Sequence, residues 1–275
     1  MLLTPTTKLP ADHFSPKGIT ISSEERTCLA TSLLALQGSQ RHEWVQLWGK
    51  ILAADCAKDY YLAIAGSHAD PTVIAAVFVS QDSLNWAQAP EVSSEEIAAT
   101  AEMRAVMTGD PAFEHALAPL ADGTIRPSLA ELKRVTAIVH LVHRDVTIAP
   151  RGAYVRDHLG KLVANTTYSG LRSHDVGKLS AYVHVAAASH QDPVTGSAHE
   201  QGVRADFEDA VDSGMVAIEA DAPKGCWVVE HRPLAAIVSS LVWPGYHHFS
   251  GACDGEQLSF YVGNGRKNQD IGFML

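Results

Sequence analysis

Histidines are the first place to look for chemistry in this chain, which has 14 of them among 275 residues. His42-Glu43 and His199-Glu200 each begin the pattern H-E-x-x-H, which sets two imidazoles on one helical face to hold zinc beside a glutamate base. Both fail at the fifth position, where Gln46 and Val203 stand. His140 and His143 lie in a stretch that reads as a strand, so three-residue spacing sends them to opposite faces, and the adjacent His247-His248 meet the same objection. No three or four ligands have a recognisable metal spacing, so neither a metal nor a cofactor is expected. Nucleophile motifs are also missing: there is no G-x-S-x-G elbow, and Ser213-Gly214 lacks the preceding glycine. Asp206, Glu208, Asp209 and Asp212 resemble part of a calcium loop, yet Ala210 and Val211 occupy positions where a ligand and a glycine belong, which favours a surface helix.

The closing stretch FYVGNGRKNQDIGFML, Phe260 to Leu275, raises the possibility of a phosphate cradle. Gly263 and Gly265 would let backbone amides approach an anion, with Arg266 and Lys267 beside them. A dinucleotide fingerprint needs a third glycine where Asn268 stands, followed by a helix and a strand. A G-x-x-x-x-G-K-[ST] loop fails too, for want of the first glycine and of a hydroxyl after Lys267. The remaining reading is a tight turn with Gly263 and Gly265 at positive φ and Lys267 as a solvated charge. Ile271 to Leu275 would then fold back onto apolar surface, with Phe273, Met274 and Leu275 docked in the chain's own core or on a neighbour, the core being favoured. Trp243 reads as a core anchor behind a Pro244-Gly245 turn.

These residues must be positioned by a sizeable core, which 46% hydrophobic content supports. The net charge of −10 and scattered Lys and Arg argue against nucleic acid and anionic membrane as partners. The longest apolar run, Val73 to Val79, falls far short of the ~20 residues of a membrane span. Cys28, Cys56, Cys226 and Cys253 make no C-x-x-C pair, and the start MLLTPTTKLPADHF has no signal-peptide pattern, so a reducing, cytosolic setting is expected. Residues 1–20, with three prolines, read as an extended N-terminal arm, and residues 21–275 as one domain.

Within it, Ser22-Ser23-Glu24-Glu25 has capping-box spacing and opens a helix that Gly38 should stop, burying Leu29, Leu33 and Leu36. WVQLWGKILA, DYYLAIAG and TVIAAVFVS read as strands. Ser93-Ser94-Glu95-Glu96 opens a second helix, and Thr108 to Pro111 makes a turn. β-branched residues in RVTAIVHLVHRDVTIAPRGAYV suggest a strand pair turning at Arg144-Asp145. Leu171 to Val185 holds a short helix and a strand. Residues 191–222 carry eight acids against Arg204 alone and read as a solvated insertion. CWVVEH, LAAIVSSLVW and LSFYVG close the chain as strands. The fold class expected is α+β, predominantly antiparallel sheet with a few peripheral helices.

Trp48-Gly49, Asp59-Tyr60-Tyr61, Gly109-Asp110-Pro111, Pro150-Arg151-Gly152, Pro223-Lys224-Gly225 with Trp227, Trp243-Pro244-Gly245 and Tyr261-Val262-Gly263 follow one another in an order that carries a resemblance. From about Trp44 to Leu275 the chain resembles the radial spoke head family of motile cilia and flagella, in its short protein 9 branch. The longer 4/6-type members share the Pro-Arg-Gly, Trp-Pro-Gly and Tyr-Val-Gly turns. The resemblance implies a non-enzymatic structural subunit of the axonemal spoke head, in the cytoskeleton of the cilium, where spokes relay contact between central pair and outer doublets and regulate dynein-driven bending. Implied partners are 4/6-type spoke head proteins, a protein 1 type subunit, the spoke stalk and, by contact, the central pair. Trp243, Pro244, Gly245, Tyr261, Gly263, Phe273, Met274 and Leu275 become its candidate structural or interface anchors. The rival reading is a histidine-dependent metal-binding enzyme or regulator.

Overall fold

The computed structural model describes residues 11–55, 58–67, 73–117, 126–156, 162–185 and 215–273. Short apolar runs between turns assemble into an eight-stranded sheet, ordered β11-β12-β13-β14-β1-β2-β3-β4. Its members are β1 (Trp44–Ile51), β2 (Tyr60–Gly66), β3 (Ala76–Ser80), β4 (Ala87–Gln88), β11 (Trp227–Arg232), β12 (Ala235–Ser240), β13 (Tyr246–Gly251) and β14 (Gln257–Gly263). Every neighbouring pair is antiparallel except β1 with β14, which are parallel. The class is α+β, mainly β, as expected.

Strand alternation divides the core into two clusters. Tyr60, Leu62 and Ile64 of β2 join one, while Tyr61, Ala63 and Ala65 join the other. In β1 the pairing with β2 shifts between Leu47 and Gly49, a bulge that changes the parity. Trp44 before it and Trp48 within it lie with the first cluster; after it the odd residue Ile51 does, and Lys50 turns to the second.

The second cluster is closed by helix α2 (Ser23–Gln40), whose Ser22 and Glu25 form the reciprocal capping box. Leu29, Leu33 and Leu36 are buried as the periodicity required. Gly38 does not stop this helix, which runs on until Arg41 takes the left-handed conformation. The stretch before it is not uniformly extended: Ala11–Phe14 form a helical turn, α1, followed by a 3-10 turn over Ser15–Lys17. Phe14 is fully buried against Phe260, so an apolar side chain decides the local conformation where proline content had suggested extension.

The first cluster is closed by α3 (Ser94–Glu102), capped by Ser93 and Glu96, and by α4 (Glu131–Val146). Helix α4 overturns the strand pair expected around Arg144-Asp145. Val135, Ile138, Val139, Val142 and Val146 recur at helical spacing and are all buried. Covering a sheet face outweighs the modest helix penalty of β-branched residues. Short strand pairs complete this side: β5 (Glu114–His115) with β6 (Leu129–Ala130), β7 (Ile148–Pro150) with β10 (Tyr182–His184), and β8 (Tyr154–Arg156) with β9 (Leu162–Ala164). The expected short helix and strand in Leu171 to Val185 are Leu179–Ala181, a 3-10 turn, and β10. Most of the acidic stretch 191–222 lies outside the described residues, including Asp206, Glu208, Asp209 and Asp212. No described helix is long and apolar enough to cross a membrane.

Candidate functional site

The C-terminal end of α4 meets the β12–β13 turn and the segment after β14. Asp145, in the last turn of α4, is the centre of this junction. Its Oδ2 accepts from Trp243 Nε1 at 3.1 Å and Lys267 Nζ at 2.8 Å, while Oδ1 accepts from Arg144 Nε at 3.0 Å. Burial pushes the Asp145 carboxyl up, but Lys267, Arg144 and the indole N–H outweigh it and hold the group below the usual carboxylate range. Lys267 is therefore the partner of a half-buried acid and not the freely solvated charge expected beside a turn.

The anchors proposed from sequence fall into two groups. Trp243 and Tyr261 are each 1% exposed, with Pro244 exposed above them. Gly245 has φ +101°, and a Cβ there would stand 2.1 Å from the Val262 carbonyl oxygen, so only glycine fits. Gly263 was expected at positive φ but ends β14 in extended conformation. It is needed because a Cβ would meet Pro244 O at 2.6 Å, and Gly265 alone makes the left-handed turn, at φ +69°. The Gly265 amide donates to the Tyr261 hydroxyl at 3.0 Å, and Asn268 N donates to Val242 O at 2.8 Å. Trp-Pro-Gly, Tyr-Val-Gly and the Arg266-Lys267 segment thus form one buried junction. Phe273 departs from its expected core position: it is 93% exposed, and Ile271, at 8%, is the residue that the tail buries. Met274 and Leu275 lie outside the described residues.

A second polar cluster, at the opposite end of α4, escaped sequence reasoning. Glu131 is fully buried. Its Oε1 accepts from Tyr60 OH at 2.8 Å and Gly109 N at 2.7 Å. Its Oε2 accepts from Thr108 N at 2.8 Å, Thr108 Oγ1 at 2.9 Å and His115 Nε2 at 2.9 Å. Although burial pushes this carboxyl up, those donors hold it below the ordinary value. Burial and the Arg134 charge lower the His115 pKa, so the ring is a neutral donor. The detectable signal was an acid opening an otherwise apolar run, with Asp59-Tyr60-Tyr61 and Gly109-Asp110-Pro111 as its remote partners.

The remaining histidines are dispersed. His140 and His143 share a helix, not two strand faces, and Thr147 Oγ1 lies 3.1 Å from His143 Nδ1. His247 and His248 sit on opposite faces of β13, bonded to Ser239 at 2.8 Å and Ser259 at 2.9 Å. Among the described residues, no group of three or more His, Cys, Asp or Glu could hold a metal ion.

No family model matches the chain. Curated relatives do match it, over nearly their full length. The radial spoke head protein 9 homolog of Homo sapiens is 28% identical over 272 residues, 95% of each chain. That of Xenopus tropicalis is 28% identical over 281 residues, covering 98% of this chain and 99% of the relative. The homolog from Danio rerio is 27% identical over 276 residues, 96% of each. Over that span the chain is similar to radial spoke head protein 9 homologs. Among the motifs that carry the radial spoke head resemblance, two build the Asp145 junction and two supply donors to Glu131. They work as packing elements for one helix, with Pro150-Arg151-Gly152 and Pro223-Lys224-Gly225 serving as turns elsewhere.

Proposed function

We propose that this chain is a non-enzymatic structural subunit of the radial spoke head, in the axoneme of a motile cilium or flagellum. The observation that carries the reading is the match to radial spoke head protein 9 homologs over 95% or more of both chains. A role in spoke assembly fits two well-filled sheet faces and two carboxylates, Glu131 and Asp145, whose oxygens are spent on the fold itself. In this reading Ile21 to Leu275 acts as one spoke-head-like unit that includes the acidic insertion of about 191–222. Its partners are 4/6-type spoke head proteins, a protein 1 type subunit and the stalk, and it helps relay central-pair contact to the dyneins on the outer doublets.

Trp243, Pro244, Gly245, Tyr261 and Gly263 serve in this proposal as the rigid seat from which the tail projects, and Phe273 with Met274 and Leu275 contacts a neighbouring spoke subunit. An apolar ring left 93% exposed is the residue type that interfaces bury. The test is to express tagged chain in a ciliated cell whose own radial spoke head protein 9 has been removed. Incorporation into axonemes, co-isolation of other spoke head chains and restored beating are the expected results. A tagged chain that never co-sediments with axonemes would overturn the assignment. Phe273→Ser should fold normally and lose the neighbour.

A further inference from the structure

Arg134 is a fully buried guanidinium without a carboxylate within salt-bridge distance among the described residues. Nearby Glu131 has both oxygens occupied by Tyr60, Gly109, Thr108 and His115. The Arg134 side chain donates to Ala105 O at 2.6 Å, stands 3.4 Å from His115 Nε2, and leaves its Nε without a partner. Since His115 Nε2 carries the proton donated to Glu131, that 3.4 Å contact cannot satisfy an arginine N–H. Burying a charge this incompletely paired is costly.

The segment that carries a second arginine packs against the same stretch of α4. Gly265 packs over α4, where a Cβ would stand 2.8 Å from Ile138 Cδ1 and 3.4 Å from Met107 Cε. Ile138 lies one helical turn from Arg134, and Met107 two residues from the Ala105 carbonyl that Arg134 holds. Arg266, next in the chain, is half-buried, its Nε is buried without a partner, and its side chain has no hydrogen bond or ion pair among the described residues. Burial, offset in part by Glu131 and reinforced by the Arg266 charge, draws the Arg134 guanidinium down to about 10. The N-terminal amides of α4 are not free to contribute, because Glu131 N and Leu132 N donate to Phe113 O and Pro111 O.

We propose that Arg134 and Arg266 form an oxyanion site that takes one carboxylate or phosphate group, entering past Arg266. Two planar forks with unspent N–H groups suit the oxygens of either anion, and a single negative charge would relieve the like-charge approach. This gives the Gly263-Asn264-Gly265-Arg266 stretch an anion-binding role by side chains, where no nucleotide motif exists.

Thermal unfolding of the full chain would be followed at fixed ionic strength and pH while chloride is replaced by inorganic phosphate or by succinate. A ligand that binds only the native state raises Tm with its concentration. Phosphate also stabilises proteins generally by exclusion from their surfaces, so the deciding quantity is the difference between variants. The expected result is a wild-type rise in Tm with at least one of the two anions that Arg266→Gln removes and Arg266→Lys partly keeps. Arg134→Met should remove it as well and, by deleting an unpaired charge, melt no lower than wild type in chloride. A rise with phosphate alone assigns the site to phosphate groups, and one with succinate alone to carboxylates. No rise with either anion, or a rise of equal size in Arg266→Gln, overturns the proposal. If Arg134→Met fails to fold, Arg266→Gln decides alone, since the Arg266 side chain has no hydrogen bond or ion pair among the described residues to lose.

Discussion

Helix α4 carries an acid at each end, and the two are stabilised in opposite ways. Glu131, in the first turn, is surrounded by neutral donors: a phenol, a hydroxyl, a neutral imidazole and two backbone amides. Asp145, in the last turn, is held by cations, Lys267 and Arg144, together with one indole N–H. The helix dipole accounts for the difference. At the N-terminus the field already favours a negative charge, so neutral hydrogen bonds suffice. At the C-terminus the field opposes it, and the acid needs positive partners. The neutral donors come from β2, β5 and the Thr108-Gly109 loop, and the cations from α4 itself and from the tail after β14. One end of the helix therefore organises the core, and the other holds the tail that carries Phe273.

The largest effect should come from Glu131→Ala. It strips five donors of their acceptor and removes the negative charge nearest Arg134, which should cost roughly 3–5 kcal/mol. Urea unfolding measures this directly. A loss below about 1 kcal/mol would mean that water satisfies the donors and that this end is not the organising one. Asp145→Asn should cost less, about 2 kcal/mol, because Lys267 can turn to solvent while only the indole contact and the seat of the tail weaken.

Acid should separate the ends further. Both carboxyls have folded pKa values below their ordinary ones, so their stabilisation is fully present above pH 4.5 and is lost as pH falls through the folded values. Histidines act earlier. Burial lowers His248 to about 3 and His247, aided by the Lys17 charge, to about 4, so the unfolded chain takes up protons first. Stability should therefore decline from about pH 6.5 downward. Below pH 4.5, Asp145→Asn should flatten the remaining decline, read from denaturant midpoints across pH. An unchanged acid limb would show that Asp145 is not held ionised by its partners.

How legible these ends were in the sequence follows from their physics. Capping boxes were legible because Ser22 with Glu25 and Ser93 with Glu96 interact within four residues. The sheet was legible from alternation, although β13 was missed because Tyr246-His247-His248-Phe249-Ser250-Gly251 mixes polar residues into both its buried and its half-buried face. Helix α4 was misread because β-branched composition was weighed above a helical recurrence that only the sheet beneath it makes decisive. Both acids stayed hidden for a different reason: Asp145 and Lys267 are 122 residues apart, and Glu131 and Tyr60 are 71 apart. No spacing rule spans such distances. Composition favoured the core over a neighbour for Phe273, and Ile271 took the core place because the 3-10 turn over Ile271–Phe273 can bury only one side of itself.

The smallest effect, and the sharpest test of the contrast, belongs to Lys267→Ala. Lys267 is one third exposed, so its attraction to Asp145 is screened, and Arg144 remains to compensate part of the lost charge. The substitution should cost only about 0.5–1 kcal/mol in low salt. It should also be salt-sensitive: at 1 M salt the Debye length is about 3 Å, and wild type and variant should become nearly equal. Glu131→Ala should keep its full penalty at that salt concentration, because its partners are neutral and buried. Equal salt dependence of the two penalties, read from paired unfolding curves in low and high salt, would mean that both acids draw on solvent-accessible charge. The assignment of one helix end to the core and the other to the tail would then fail.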